Sequence, residues 1–146
     1  MFEALLRRLT APAPDRLPER EARLALAALL VRLARSDGAY SGVEAARIDR
    51  VLAERHGLTA ADARSLRADA EALEAEAPDT VRFTKALKDA VALEDRTGLL
   101  EALWSVALAD GERDDHEDQL VRLVAKLLGL TDQDSALARQ RVERRS

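Results

Sequence analysis

Leu99–Thr131, LLEALWSVALADGERDDHEDQLVRLVAKLLGLT, decides the fold: an apolar run, an acidic loop and a second, amphipathic run. From Leu99 to Ala109 the apolar residues Leu99, Leu100, Ala102, Leu103, Trp104, Val106, Ala107 and Leu108 cover nearly the whole circumference of a helix. A helix that is apolar all round belongs inside a domain or a membrane. Glu101 and Asp110 interrupt this run well short of the ~20 apolar residues that span a bilayer. It therefore predicts a core helix. Asp110-Gly111 is its stop, since glycine takes the left-handed backbone that closes a helix. Asp114-x-x-Glu117 has the spacing of a capping box that starts the next helix. That helix shows Leu120, Val121, Leu123, Val124, Leu127 and Leu128 at steps of three and four, and Gly129 ends it.

A fainter copy precedes it in Ala25–Thr59. Leu26, Leu29, Leu30, Val31 and Leu33 make a second helix apolar on most sides. Asp37-Gly38 aligns with Asp110-Gly111, and Ser41-x-x-Glu44 with Asp114-x-x-Glu117. Ile48 and Val51 match Val121 and Val124. With one residue dropped near His56, Gly57-Leu58-Thr59 matches Gly129-Leu130-Thr131. Two helix–loop–helix units thus repeat within one domain; two are too few for a solenoid.

The bulk properties agree. At 146 residues one domain is the default, and such a chain buries roughly 70% of its unfolded surface. Hydrophobic residues at 47% against 34% charged argue for a folded globule. With 3% aromatics the core must be aliphatic, and no stretch alternates with the period of a strand. The expected fold is all-α, a single compact domain of seven to eight helices built on two pseudo-symmetric units. Residues 1–18 read as a short helix (Met1–Leu9) and a proline linker (Ala11–Arg16), and residues 19–146 as the helical domain. Pro18 suits a first helical turn.

Further helices begin at Thr59-x-x-Asp62, running to about Ala77, and at Pro78-Asp79; a break falls between Leu93 and Gly98. Glu71, Glu74 and Glu76 oppose the dipole of the helix they end. They form either a solvated face or a docking surface for something basic. The tail carries Arg144 and Arg145, which complement a helix C-terminus.

Absent cysteine removes disulfides, thiolate metal sites and cysteine nucleophiles together. Met1–Leu9 is too short and too charged for a signal peptide, so a cytoplasmic setting is expected, with membrane association at most peripheral. A net charge of −4 gives no general attraction for nucleic acid. No Gly-rich phosphate loop, G-x-S-x-G elbow or catalytic constellation is present.

Chemistry concentrates in Asp110–Asp118, where Asp110, Glu112, Asp114, Asp115, Glu117 and Asp118 face Arg113 alone. Such crowded carboxylates repel, and a hard divalent cation, Ca²⁺ or Mg²⁺, would relieve that with oxygen ligands. Both copies also carry Asp-Gly followed six residues later by Glu, the second half of an EF-hand loop. The first half would fall on Leu33 and Arg35, or on Val106 and Leu108, so a true EF-hand is excluded. The competing reading is that Asp-Gly stops a helix and Ser/Asp-x-x-Glu starts one, each cap worth about 1 kcal/mol. Caps do not require Glu112, Asp115 or Asp118. His116 reads as solvated, His56 as a helix-end residue, and Trp104 as core.

The patterns ALLVRLARSDGAYSGVE and ALWSVALADGERDDHEDQLVRLVAKLLGL, with their paired A-x-x-D-G-x-x-x-x-x-E signatures, resemble the TerB family, the tellurite-resistance protein B-like domains of bacteria. The resemblance covers nearly all of the chain after the proline linker. It implies an all-helical fold of two pseudo-symmetric units in a cytoplasmic, sometimes membrane-associated setting. It also implies a role in the response to tellurite-type stress, through divalent-cation binding at Asp37, Glu44, Asp110, Glu112, Asp114 and Glu117. Ala39 and Ser41 depart from residues often acidic in the family, and Arg113 from one often apolar. The function expected is a non-enzymatic binding or scaffold module whose acidic loop takes a divalent cation or a basic protein partner. The alternative is a divalent-metal-dependent hydrolase using the loop carboxylates, which would need a base and an electrophile converging on them.

Overall fold

In the computed structural model the described residues are Leu6, 19–36, Gly38, 40–76, 79–109 and 114–145. Among them are seven α-helices and a 3₁₀ turn, with no strand. The helices are α1 (Glu19–Arg35), α2 (Gly42–His56), α3 (Ala60–Glu76), α4 (Thr80–Ala90), α5 (Arg96–Ala107), α6 (Asp115–Leu127) and α7 (Asp132–Arg145). The 3₁₀ turn Leu93–Asp95 leads into α5, so the expected break lies there and the core helix starts before Leu99.

The two helices that are apolar on most sides are the two at the centre. From Ala25 to Ala34 every residue of α1 but Arg32 is buried, and α1 packs against α2, α3, α4, α5 and α6. In α5, Leu99, Leu100, Ala102, Leu103, Trp104, Val106 and Ala107 are buried, and α5 packs against α1, α2, α6 and α7. Leu29, Leu30 and Leu33 of α1 join Leu100 and Leu103 of α5, Ile48 and Leu52 of α2, Leu73 of α3 and Leu87 of α4 in one core. Burying each such side chain contributes about 1.5–3 kcal/mol. Trp104 is core as expected: its indole Nε1 donates to the buried Ser135 Oγ of α7 at 3.1 Å.

Helix ends follow the local sequence closely. Ser41 and Glu44 form a reciprocal capping box at α2, with Glu44 N to Ser41 Oγ at 3.2 Å and Ser41 N to Glu44 Oε1 at 3.1 Å. The helix then closes through Gly57 at φ 65°, with Leu58 N donating to Ala53 O at 3.0 Å. The end of α6 repeats this at Gly129, φ 80°, with Leu130 N donating to Ala125 O at 2.9 Å. Both stops are followed by a threonine start: Thr59 Oγ1 accepts from Asp62 N, and Thr131 Oγ1 from Asp134 N.

The Met1–Leu9 helix, the Ala11–Arg16 linker, Pro18, Pro78 and the Asp110-Gly111 stop lie outside the described residues, apart from Leu6, which is half-buried against the core. The acidic end of α3 divides: Glu76 is exposed to solvent, whereas Glu74 and Glu71 are held by other side chains of the fold. Glu74 is paired with Arg35 Nη1 at 2.7 Å and Arg32 Nε at 3.6 Å of α1. Glu71 accepts from Tyr40 OH at 2.7 Å and Arg67 Nη1 at 3.0 Å. The terminal Arg145 likewise reaches Glu101 of α5 at 2.6 Å.

Candidate functional site

The acidic stretch enters α6 through Asp114. Its backbone is extended, and its Oδ1 accepts from His116 N at 2.9 Å and Glu117 N at 3.2 Å. These are N–H groups that the helix cannot satisfy internally. The cap uses one oxygen of Asp114 only. Its Oδ2 makes no hydrogen bond among the described residues, and the side chain is partly open to solvent.

Glu117, one turn along, is only 2% exposed, so its side chain is withdrawn from water. Glu44 at the matching position of α2 is also 2% exposed, and its Oε1 is engaged by Ser41 N and Ser41 Oγ. Buried carboxylates are rare unless something opposite in sign or a donor set holds them. For Glu44 the capping box supplies that set.

Of the six carboxylates named for a cation, Asp114, Glu117 and Glu44 are described; Asp37, Asp110 and Glu112 lie outside the described residues. Asp114 and Glu117 are brought together at the α6 start, whereas Glu44 belongs to the separate α2 start. No group of three or more His, Asp or Glu side chains arranged to hold a metal occurs among the described residues. Asp114 and Glu117 are two carboxylates at one helix start, fewer than the about 6–8 oxygens that Ca²⁺ takes.

His116 stands in solvent with its side chain 73% exposed, and its Nδ1 is 3.6 Å from Asp114 Oδ1. His56 is half-buried at the end of α2, against a second cavity shared with Arg23 and Glu94. The two histidines serve different places in the fold.

The arrangement around Tyr40 was not legible in the sequence. Tyr40 joins Glu71, and Arg67 spans Glu71 and Asp49 Oδ1, the latter at 2.6 Å. Burial and the hydrogen bond to Glu71 push the Tyr40 hydroxyl up to about 12. The Asp49 hydrogen bond holds Arg67 above the ordinary guanidinium range. The cluster fixes the first loop to α2 and α3.

With this geometry in place, a family model described as "Tellurite resistance protein TerB" matches residues 23–140. The chain belongs to the TerB family. The match runs from early α1 to most of α7 and takes in both capped loops. No curated protein and no solved structure matches the chain. Among the described residues of this TerB-family chain, no helix is long and apolar enough to cross a membrane.

Proposed function

We propose that this chain is a non-enzymatic binding module in a bacterial response to tellurite-type stress, and that its acidic stretch Asp110–Asp118 takes up a divalent cation, Ca²⁺ or Mg²⁺. The observation that carries the reading is the α6 start. One carboxylate oxygen of Asp114 caps the helix, the other is left over, and Glu117 is buried beside it. A cap alone needs neither a second carboxylate oxygen nor the added charge of Glu112, Asp115 and Asp118. The family match supports the stress-response setting. The exposed position of His116 supports a binding role over a hydrolytic one, because it offers no oriented base. In this reading the first loop, the fainter copy of the pattern, is held by the Ser41–Glu44 box and by the Tyr40–Glu71 hydrogen bond.

The test is calorimetric titration of the metal-free protein with Ca²⁺, Mg²⁺ and Mn²⁺, with Trp104 fluorescence followed in parallel. The expected result is saturable binding by the wild type that Glu112→Gln weakens at least about tenfold, as loss of a charged oxygen ligand does. Silence by both methods overturns the cation reading and leaves docking of a basic protein partner as the role of the stretch.

A further inference from the structure

A cavity of about 520 Å³ opens on the opposite side of α2 from its cap, between α2, α5 and the end of α7. Its α2 wall carries Arg47, Arg50 and Arg55, and Arg145 comes in from α7. Its floor on α5 is made of small residues, Gly98, Ala102 and Ser105, spaced one turn apart. Two acidic residues, Glu54 and Glu101, share the walls with the four arginines. Glu101 is already engaged by Arg145 and by Arg141 Nε at 3.3 Å. The hollow is locally cationic in a chain of net charge −4.

The arginines are not equivalent. Arg47 Nη1 donates to Ser105 O at 3.2 Å and Ser105 Oγ at 3.3 Å, which fixes it as part of the α2–α5 contact. Arg50 and Arg55 make no hydrogen bond or ion pair among the described residues. Partial burial lowers the Arg55 pKa, while the carboxylates of Asp95 and Glu101 raise it; the side chain itself is open to solvent at the cavity mouth. It lies directly over Gly98, where a Cβ would be 3.1 Å from Arg55 Nη1. A side chain at Gly98 would press on that guanidinium and shift it by a few tenths of an ångström.

We propose that this cavity binds a small phosphate-bearing molecule, with Arg50 and Arg55 as its two guanidinium forks. A carboxylate has two oxygens and fills one fork. A phosphate has three or more and satisfies two. The volume lies in the range of small-ligand sites, about 300–1,000 Å³, and four arginines among the lining residues favour an anion. This site is separate from the acidic stretch and does not depend on its reading.

Pyrophosphate and inorganic phosphate, titrated calorimetrically into the full chain at fixed ionic strength with thermal melting alongside, test it. Pyrophosphate should bind and raise the melting temperature. Arg50→Ala and Arg55→Gln should each weaken it about tenfold, the worth of one charge-assisted hydrogen bond. Arg122→Ala, an exposed arginine of α6, should leave it unchanged. Gly98→Ala separates binding from folding: it should weaken pyrophosphate by crowding Arg55 while leaving the apo melting temperature the same or higher. Absence of binding at millimolar pyrophosphate, or unchanged binding in both arginine variants, overturns the proposal. So does salt-sensitive self-association that Arg50→Ala abolishes, which would make the acidic stretch of a second copy the occupant.

Discussion

Arg96 illustrates how much one side chain can hold together. Its Nη2 donates to Lys88 O at 3.0 Å, its Nε to Val91 O at 3.2 Å and its Nη1 to Leu128 O at 3.2 Å. These carbonyls end α4 and α6, where backbone acceptors have no partner within their own helix. A charged donor to a carbonyl is worth about 1.5–3 kcal/mol, part of which water recovers at this half-buried site. Arg96→Ala should therefore lower unfolding stability by about 2 kcal/mol, measured by urea denaturation. Arg96→Lys should restore little, since one ammonium cannot reach three carbonyls fixed for a fork. Tyr40 gives a pH signature. Its pKa is raised on folding from 10.0 to about 12, so the folded state keeps a proton that the unfolded state gives up. The stabilisation from its hydroxyl is present below pH 10 and is lost as pH rises toward 12. The difference in stability between wild type and Tyr40→Phe should shrink across that window. A constant difference would mean that the Tyr40–Glu71 hydrogen bond carries no protonation linkage. Neither residue stands out in the sequence, because every partner of Arg96 is a backbone carbonyl and Glu71 lies far along the chain from Tyr40.

Elements were the most legible level, because helix starts and stops are written in a few adjacent residues. Ser41, Thr59, Asp79, Asp114 and Thr131 each accept from a backbone N–H at the start of a helix, and Gly57 and Gly129 each take the left-handed turn that ends one. The two helices apolar on most sides were the two that ended up central. What local reasoning missed was the acid-rich end of α3. Its carboxylates run against the helix dipole; Glu74 is held by Arg32 and Arg35, which tertiary packing brings alongside, and Glu71 by Tyr40 and Arg67. The α6 cap offers a clean separation of structure from ligand binding. Asparagine caps a helix about as well as aspartate, so Asp114→Asn should cost less than about 0.5 kcal/mol, whereas Asp114→Ala should cost about 1 kcal/mol. If Asp114 Oδ2 also ligates a cation, Asp114→Asn should weaken divalent binding at least about tenfold with the fold intact. Equal cation affinity in the wild type and Asp114→Asn would reduce Asp114 to a cap.

At the scale of the molecule, the decisive property is that α1 is shared. It contacts α2, α3 and α4 on one side and α5 and α6 on the other, so the described helices have no seam along which one half could melt alone. The internal repeat seen in the sequence suggests two similar units, yet the packing does not leave each unit its own core: Leu29 and Leu30 lie in the same cluster as Leu100 and Leu103. Trp104 makes this measurable. Its indole is buried between α5 and α7, against Ser135 and beneath the Arg139 guanidinium, and it has no neighbour of its own kind elsewhere in the chain. Its fluorescence therefore reports the later helices, while far-ultraviolet circular dichroism reports all of them. Leu30→Ala empties a fully buried position on α1 and should cost about 2–5 kcal/mol. In a cooperative domain that whole loss must appear in the urea midpoint read at Trp104, coincident with the midpoint read by circular dichroism. A Trp104 midpoint that stays at the wild-type value while the dichroism transition moves or splits would show two units unfolding apart, and the shared core would not be what holds this fold together.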